Sequence, residues 1–256
     1  MSEEHLLYHV EKNVGRMTIN RGAQRNAISL EAIALFLKYL DEAEKDETVR
    51  VILVTGSGDK AFCSGADLGG AVDGKIQQGF KRYAQLITRL SGYPKPVVAR
   101  INGACMAGGM GLMLACDIVV ARADAKFGTP EVNVGLWPMM IGALIYRNVL
   151  RKKAMEMILL GERLTAAQAL SMGLITRVVQ PEALDAETAR IADSLAAKSP
   201  IGMKIGKEAF YAMADMPFEE AVDFLSGKIA EVAATEDARE GITAFIEKRK
   251  PEFKGK

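Results

Sequence analysis

Two glycine-centred turns contain the residue types that could bind a negatively charged oxygen. The first turn, at residues 107–111, follows an apolar run at 96–101 that is typical of a buried strand. Small residues then give way to helix formers, which predicts a helix beginning near Gly108 with unpaired first amides. Such amides, with the helix dipole behind them, can bind negative charge. A tight packing turn without a ligand is the alternative interpretation.

The second turn, at residues 61–68, follows another buried-strand pattern at 51–54. If the two strand ends lie side by side, one amide from each turn could bind a single oxygen. That arrangement is the geometry of an oxyanion hole.

The composition excludes several other kinds of site. The chain has 256 residues, 49% of them hydrophobic, and a net charge of +1, so we expect a soluble globular protein. The near-neutral charge disfavours nucleic acid and anionic membranes as partners. No apolar run reaches the length of a membrane helix, and the N-terminus lacks the pattern of a secretory signal. We therefore expect a cytoplasmic protein.

Cysteine and histidine offer little catalytic potential. The three cysteines, Cys63, Cys105 and Cys116, lack the spacing of a metal site, and we expect free thiols and no metal. The two histidines, His5 and His9, both lie in the first ten residues. The chemistry must therefore use carboxylates, backbone dipoles or, less readily, thiols.

Alternating strands and helices predict an α/β fold. A hairpin is predicted at 6–19. The other predicted strands are 49–55, 96–101, 117–121 and 174–179, and the helices between them are 30–44, 75–90 and 139–158, the last broken near Arg151. Right-handed crossovers would make these strands parallel and place a ligand at their carboxyl ends. Beyond residue 181 the chain is predicted to be helical, at 182–198, 201–214, 217–234 and 236–249.

The chain resembles the crotonase, or enoyl-CoA hydratase/isomerase, superfamily over nearly its whole length. The motifs that carry the resemblance are RNAIS at 25–29, FCSGADL at 62–68, KPVVARINGACMAGG at 95–109, CDIVVA at 116–121 and FGTPEVNVGL at 127–136, with further matches at 161–175 and 245–253. The resemblance implies a ββα spiral core at 1–195 that binds an acyl-CoA thioester. It also implies a helical C-terminal region at 196–256 that forms homotrimers or dimers of trimers. Coenzyme A would be part of the substrate, with no separate cofactor.

The resemblance also implies roles for particular residues. The oxyanion amides would be those of Ala66 and Gly108. The path of the adenine and pantetheine would be lined by Arg25, Ala27, Ala61, Phe62 and Ser64. Phe245 and Lys248 match positions near the nucleotide, which a neighbouring subunit sometimes supplies. From residue type alone, we also expect an acyl pocket formed by Gly111, Trp137, Met139 and Met140, because methionine suits an adaptable apolar cavity.

One position departs from the family pattern. Hydratases of the family use two glutamates; Glu131 matches the second, but Gly111 stands where the first would be. Hydration needs a base for water and an acid for the α-carbon, whereas one carboxylate can move a proton between two carbons. We therefore predict a 3-enoyl to 2-enoyl-CoA isomerase that uses Glu131. Two alternatives remain: a hydratase of an unusual or conjugated acyl-CoA, for which Gly111 leaves room, and a weakly active acyl-CoA-binding relative.

Overall fold

The computed structural model describes residues 4–67 and 76–256. Residue 68 of the second predicted turn and residue 75 of the predicted helix 75–90 lie outside the described residues. None of the described helices is both long and apolar enough to cross a membrane.

A six-stranded sheet forms the centre of the fold, with the strand order β1-β2-β3-β5-β7-β10. β1 pairs antiparallel with β2, and every later pair in this sheet is parallel. The strands are β1 (Leu6–Glu11), β2 (Val14–Ile19), β3 (Val51–Gly56), β5 (Val97–Ile101), β7 (Ile118–Arg122) and β10 (Arg177–Val179). All six residues of β3 are buried, which explains its continuous apolar run.

A second sheet, of four short strands in the order β4-β6-β8-β9, was not predicted. Its strands are β4 (Ala61–Cys63), β6 (Ala104–Met106), β8 (Lys126–Gly128) and β9 (Leu164–Thr165). The prediction of a turn over all of 61–68 was therefore wrong in part, because its first three residues form β4. Strands of two or three residues are too short to show an alternating pattern.

The helices mostly follow the predicted order. They are α1 (Leu30–Lys45), α2 (Ile76–Ser91), α3 (Gly108–Leu114), α4 (Met139–Asn148), α5 (Arg151–Leu160), α6 (Ala166–Ser171), α7 (Leu184–Ala196), α8 (Pro200–Met213), α9 (Phe218–Ala233) and α10 (Glu236–Ile246). The predicted break near Arg151 separates α4 from α5. Helix α3 begins at Gly108, as predicted, and it packs between α2 and α4.

The core divides into two clusters on opposite faces of the central sheet. The larger cluster contains the buried faces of α1, α2 and α3. The smaller one packs α7 against β3, β5 and β7. The α/β fold with a helical C-terminal region is thus confirmed, and the predicted boundary at 195/196 lies at the end of α7.

Candidate active site

The two predicted glycine turns lie against each other. A Cβ placed on Gly108 would lie 3.4 Å from the amide nitrogen of Ala66. The structure records no hydrogen bond from the amide of Ala66 or of Gly108 to another described residue. The two N–H groups are therefore adjacent donors available to a ligand oxygen.

The second sheet brings these turns together. β4 and β6 are parallel neighbours, with Ala61 opposite Ala104 and Cys63 opposite Cys105, so the turns that follow them emerge at the same edge. A Cβ on Gly109 would lie 2.3 Å from the Cys63 carbonyl oxygen, so glycine is required for α3 to approach β4 this closely.

The strand that leads to Glu131 is attached to the same turn. The amide of Ala107, immediately before α3, donates to the carbonyl of Gly128 at 2.9 Å. Gly128 ends β8, and a short 3₁₀ helix at Pro130–Val134 follows it. Glu131 thus lies three residues after Gly128, which is hydrogen-bonded to the glycine turn that precedes α3.

The Glu131 carboxyl group is partly buried and incompletely bonded. Its Oε2 atom is shielded from solvent and has no hydrogen-bond partner among the described residues. Burial raises the pKa of Glu131 above its ordinary value of 4.5. A carboxylate with one oxygen left unpartnered, and whose affinity for protons is raised, is suited to accept a proton from a ligand.

The space expected beside Gly111 is filled. A Cβ on Gly111 would lie 2.3 Å from the Tyr83 hydroxyl oxygen and 2.4 Å from Cγ2 of Ile141. Both side chains are buried, and the Tyr83 hydroxyl donates to the Gly108 carbonyl. The prediction that Gly111 leaves room was therefore wrong, because residues from α2 and α4 occupy that room.

Sequence reasoning missed Tyr83 as a site residue. Its pKa is raised well above 10, first by burial and then by the neighbouring Cys63 and Cys105 thiols and the Glu131 carboxylate. Tyr83 therefore lies close to both Gly108 and Glu131. In the sequence it is one member of an amphipathic helix, and no local signal separates it from a core tyrosine.

Three of the residues predicted to bind CoA occupy two connected loops. The amide of Ser64 donates to the Arg25 carbonyl at 3.1 Å. Arg21, which sequence reasoning missed, donates to the Ala27 carbonyl at 2.6 Å and pairs with Asp67 at 2.7 Å. The loop that contains Arg25 and Ala27 is therefore attached to the turn that contains Ser64 and Ala66.

The remaining predicted residues differ in exposure. Ala61 and Phe62 are buried within β4, so only their main-chain atoms could face a ligand. Trp137 and Met139 are exposed, whereas Met140 packs partly against the core.

Phe245 is 85% exposed, at the end of α10, and Lys248 follows it at the surface. α10 contacts α8 and α9. Both side chains are therefore exposed at the surface of the single chain.

Comparison with known proteins identifies the family. The family described as "Enoyl-CoA hydratase/isomerase" matches residues 9–256. The 2,3-dehydroadipyl-CoA hydratase of Escherichia coli (strain K12) is 34% identical over 259 residues, covering 100% of both chains. The 1,2-epoxyphenylacetyl-CoA isomerase of the same organism is 35% identical over 263 residues, covering 99% of each.

Solved structures agree with this assignment. The crystal structure of an enoyl-CoA hydratase from Mycobacterium smegmatis superimposes with a TM-score of 0.94 at 35% identity, covering 98% of this chain and 99% of that one. The adjacent amides and the partly buried glutamate point to the same family as these similarities. The chain belongs to the enoyl-CoA hydratase/isomerase family of the crotonase superfamily, and it is an acyl-CoA enzyme of that family.

Proposed function

We propose that this enzyme converts 3-enoyl-CoA thioesters into 2-enoyl-CoA thioesters, with Glu131 as the only carboxylate that moves the proton. Glu131 removes a proton from C2, and the electron pair of that C–H bond delocalises into the thioester carbonyl to give a dienolate. The same proton then returns from Glu131 to C4, so the double bond moves to C2–C3 and no other reactant is consumed.

The observation that carries this proposal is the unpartnered Oε2 atom of Glu131. Buried polar groups with a structural role are nearly always hydrogen-bonded, so an unbonded carboxylate oxygen needs another explanation. Its raised pKa suits a base that works near neutral pH, because proton transfer is most effective when the pKa of the base lies near the working pH.

The amides of Ala66 and Gly108 supply the second requirement. As the C2 proton leaves, negative charge develops on the thioester oxygen, and two preformed N–H donors can stabilise it. Removing one such donor costs about 3 to 4 kcal/mol in comparable acyl chemistry. A positioned base contributes a further factor of about 10² to 10⁴ in rate.

The CoA moiety is proposed to bind along the loops that Arg21 connects. Arg25, Ala27 and Ser64 lie on these loops, and the Arg25 side chain is exposed. Lys248 is proposed to meet the CoA phosphates, with Phe245 beside the adenine, in the assembled oligomer. No cofactor beyond the CoA of the substrate enters the proposal.

A homotrimer or a dimer of trimers is proposed for the assembly. Large apolar side chains are exposed on the three C-terminal helices: Phe210, Phe218, Val222, Ile229, Ile242 and Phe245. Exposed apolar surface of this kind is typical of subunit interfaces. Light scattering should give three or six chain masses; a monomer at micromolar concentration would contradict the proposal.

Hydration is the second candidate, because relatives such as the E. coli 2,3-dehydroadipyl-CoA hydratase bear that name. The two candidates differ in whether water is incorporated. A hydratase adds the elements of water to crotonyl-CoA, whereas the proposed isomerase leaves its mass unchanged.

The test compares wild type, Glu131→Gln and Glu162→Gln with 3-hexenoyl-CoA, following the absorbance of the conjugated product. Glu162 is an exposed glutamate and serves as the control. We expect Glu131→Gln to lose about 10² to 10⁴ in kcat with acyl-CoA binding retained, and the control to match wild type. Wild-type turnover by Glu131→Gln would remove this residue from the mechanism.

A further inference from the structure

The volume beside Gly111 is occupied from two directions. Tyr83 reaches it from α2 and Ile141 from α4, and both lie too close to admit even a methyl group on Gly111. Tyr83 is only 6% exposed and Ile141 only 4%. Side chains from two packed helices, α2 and α4, therefore fill this side of the site.

The Tyr83 hydroxyl is fixed in this position. It donates to the Gly108 carbonyl, in the first turn of α3. A Cβ on Gly108 would lie 3.6 Å from the same hydroxyl oxygen and 3.4 Å from the Ala66 amide. The hydroxyl therefore lies beside the pair of oxyanion donors.

The phenol is also unsuited to replace a carboxylate. Burial, followed by the nearby Cys63 and Cys105 thiols and the Glu131 carboxylate, keeps its pKa well above 10. Tyr83 thus stays neutral at physiological pH, and its proton is engaged by a backbone carbonyl. It occupies space and holds a hydrogen bond, but it does not supply a base that could activate water.

Tyr93 provides a comparison, because its buried hydroxyl has only a structural role. It is fully buried just beyond α2, and its hydroxyl donates to the Leu40 carbonyl at 2.8 Å. Its charged neighbours are Arg89, Glu44 and Asp41, none of which belongs to the site. Tyr83 makes the same kind of bond, but next to Gly108 and Glu131.

We propose that Tyr83 is a specificity-determining residue that, together with Ile141, excludes a hydrating water from the side of the site next to Gly111. Water addition requires a water molecule at C3 and polar groups that orient it. A water needs a space of its own and at least two polar partners, and the Tyr83 hydroxyl takes both the space and the Gly108 carbonyl. The inference rests on the proposed function, because it explains why Glu131 transfers a proton between carbons instead of activating water.

Tyr83→Phe is the sharpest variant. It keeps the ring, removes the hydroxyl and frees the Gly108 carbonyl to hold a water molecule near Glu131. Tyr83→Ala opens a larger space, and Tyr93→Phe is the matched control because it removes a comparable buried hydroxyl away from the site.

The experiment measures, for each variant, the rate of hydration of crotonyl-CoA and the rate of isomerisation of 3-hexenoyl-CoA. We expect the ratio of hydration to isomerisation to rise about tenfold or more in Tyr83→Phe or Tyr83→Ala, and to stay within about twofold in Tyr93→Phe. An unchanged ratio in a Tyr83 variant that still isomerises would overturn the inference and leave the proposed function standing. Hydration as fast as isomerisation in wild type would overturn both.

A crystal structure of Tyr83→Phe tests the exclusion of water by Tyr83 without any measurement of the reaction rate. An ordered water bonded to the Gly108 carbonyl would support the inference. Closure of the space by Ile141, with no water present, would overturn it. If Tyr83→Ala does not fold, Tyr83→Phe alone decides, because it keeps the packing of the ring.

Discussion

Gly111→Ala is expected to destabilise the protein, although alanine is ordinarily the better helix former. The new methyl group would meet the Tyr83 hydroxyl at 2.3 Å and Ile141 at 2.4 Å, so at least one of them must move. Overpacking of a buried site costs about 1 to 3 kcal/mol. Displacing Tyr83 also weakens its bond to the Gly108 carbonyl, worth about 1 kcal/mol. The higher helix propensity of alanine offsets about 1 kcal/mol of this destabilisation.

The net expectation is a loss of about 2 kcal/mol in the free energy of unfolding. For a chain of this length, that corresponds to a fall in Tm of about 4 to 8 °C. The assay is denaturant unfolding monitored by circular dichroism, with thermal unfolding beside it. Unfolding of an oligomer depends on protein concentration, so all variants are compared at one concentration.

Gly142→Ala is the matched control. Gly142 is also inside a helix, α4, but a Cβ there would meet nothing within 4 Å. We expect this variant to be more stable than wild type by about 0.5 to 1 kcal/mol. In Tyr83→Phe, which lacks the clashing oxygen, Gly111→Ala should cost about 1 kcal/mol less than in wild type. Equal stabilisation by Gly111→Ala and Gly142→Ala would show that Tyr83 and Ile141 do not fill the space beside Gly111.

Three further changes have defined outcomes. Burial raises the pKa of Glu131 above 4.5, so ionising this group destabilises the fold as pH rises through the raised pKa. Glu131→Gln should therefore be more stable than wild type above that pKa and equally stable below about pH 4.5, as measured by denaturation across pH; a stability difference that does not change with pH would contradict the burial of this group. The rate of isomerisation by wild type should rise with pH through the same raised pKa, and a profile that rises only near pH 4.5 would contradict the burial of this group. Arg21→Ala removes the contacts that join the loop containing Ala27 to Asp67. We expect this variant to lower kcat/KM about tenfold, chiefly by raising KM. An unchanged KM would show that these loops do not bind CoA.

Much of the architecture could be read from local patterns. β3 and β5 each begin with a run of apolar residues, at 51–54 and 97–99, because both faces of a parallel sheet are covered. Ser29 caps α1, and its side chain accepts a hydrogen bond from the Ala32 amide, as is typical of a serine immediately before a helix. The two glycine turns were also predicted, since glycine clusters at strand ends leave a strong local signal.

The missed features are those that depend on distant contacts. Tyr83 and Gly108 are 25 residues apart, and nothing near Tyr83 shows that its hydroxyl reaches α3. Open space was expected beside Gly111 because the sequence shows that this position lacks a side chain. The sequence does not show which distant side chains pack there. The second sheet was missed because its strands are short and are held by neighbours up to about 40 residues away.

The proposed mechanism requires that one carboxylate moves a proton and that no water is added. The most direct test is to incubate the wild-type enzyme with 3-hexenoyl-CoA and with crotonyl-CoA in heavy water, and to follow both by mass and by absorbance. We expect 3-hexenoyl-CoA to become conjugated and crotonyl-CoA to gain no mass corresponding to water. Conversion of crotonyl-CoA to a product heavier by the elements of water, at a rate comparable to isomerisation, would contradict it.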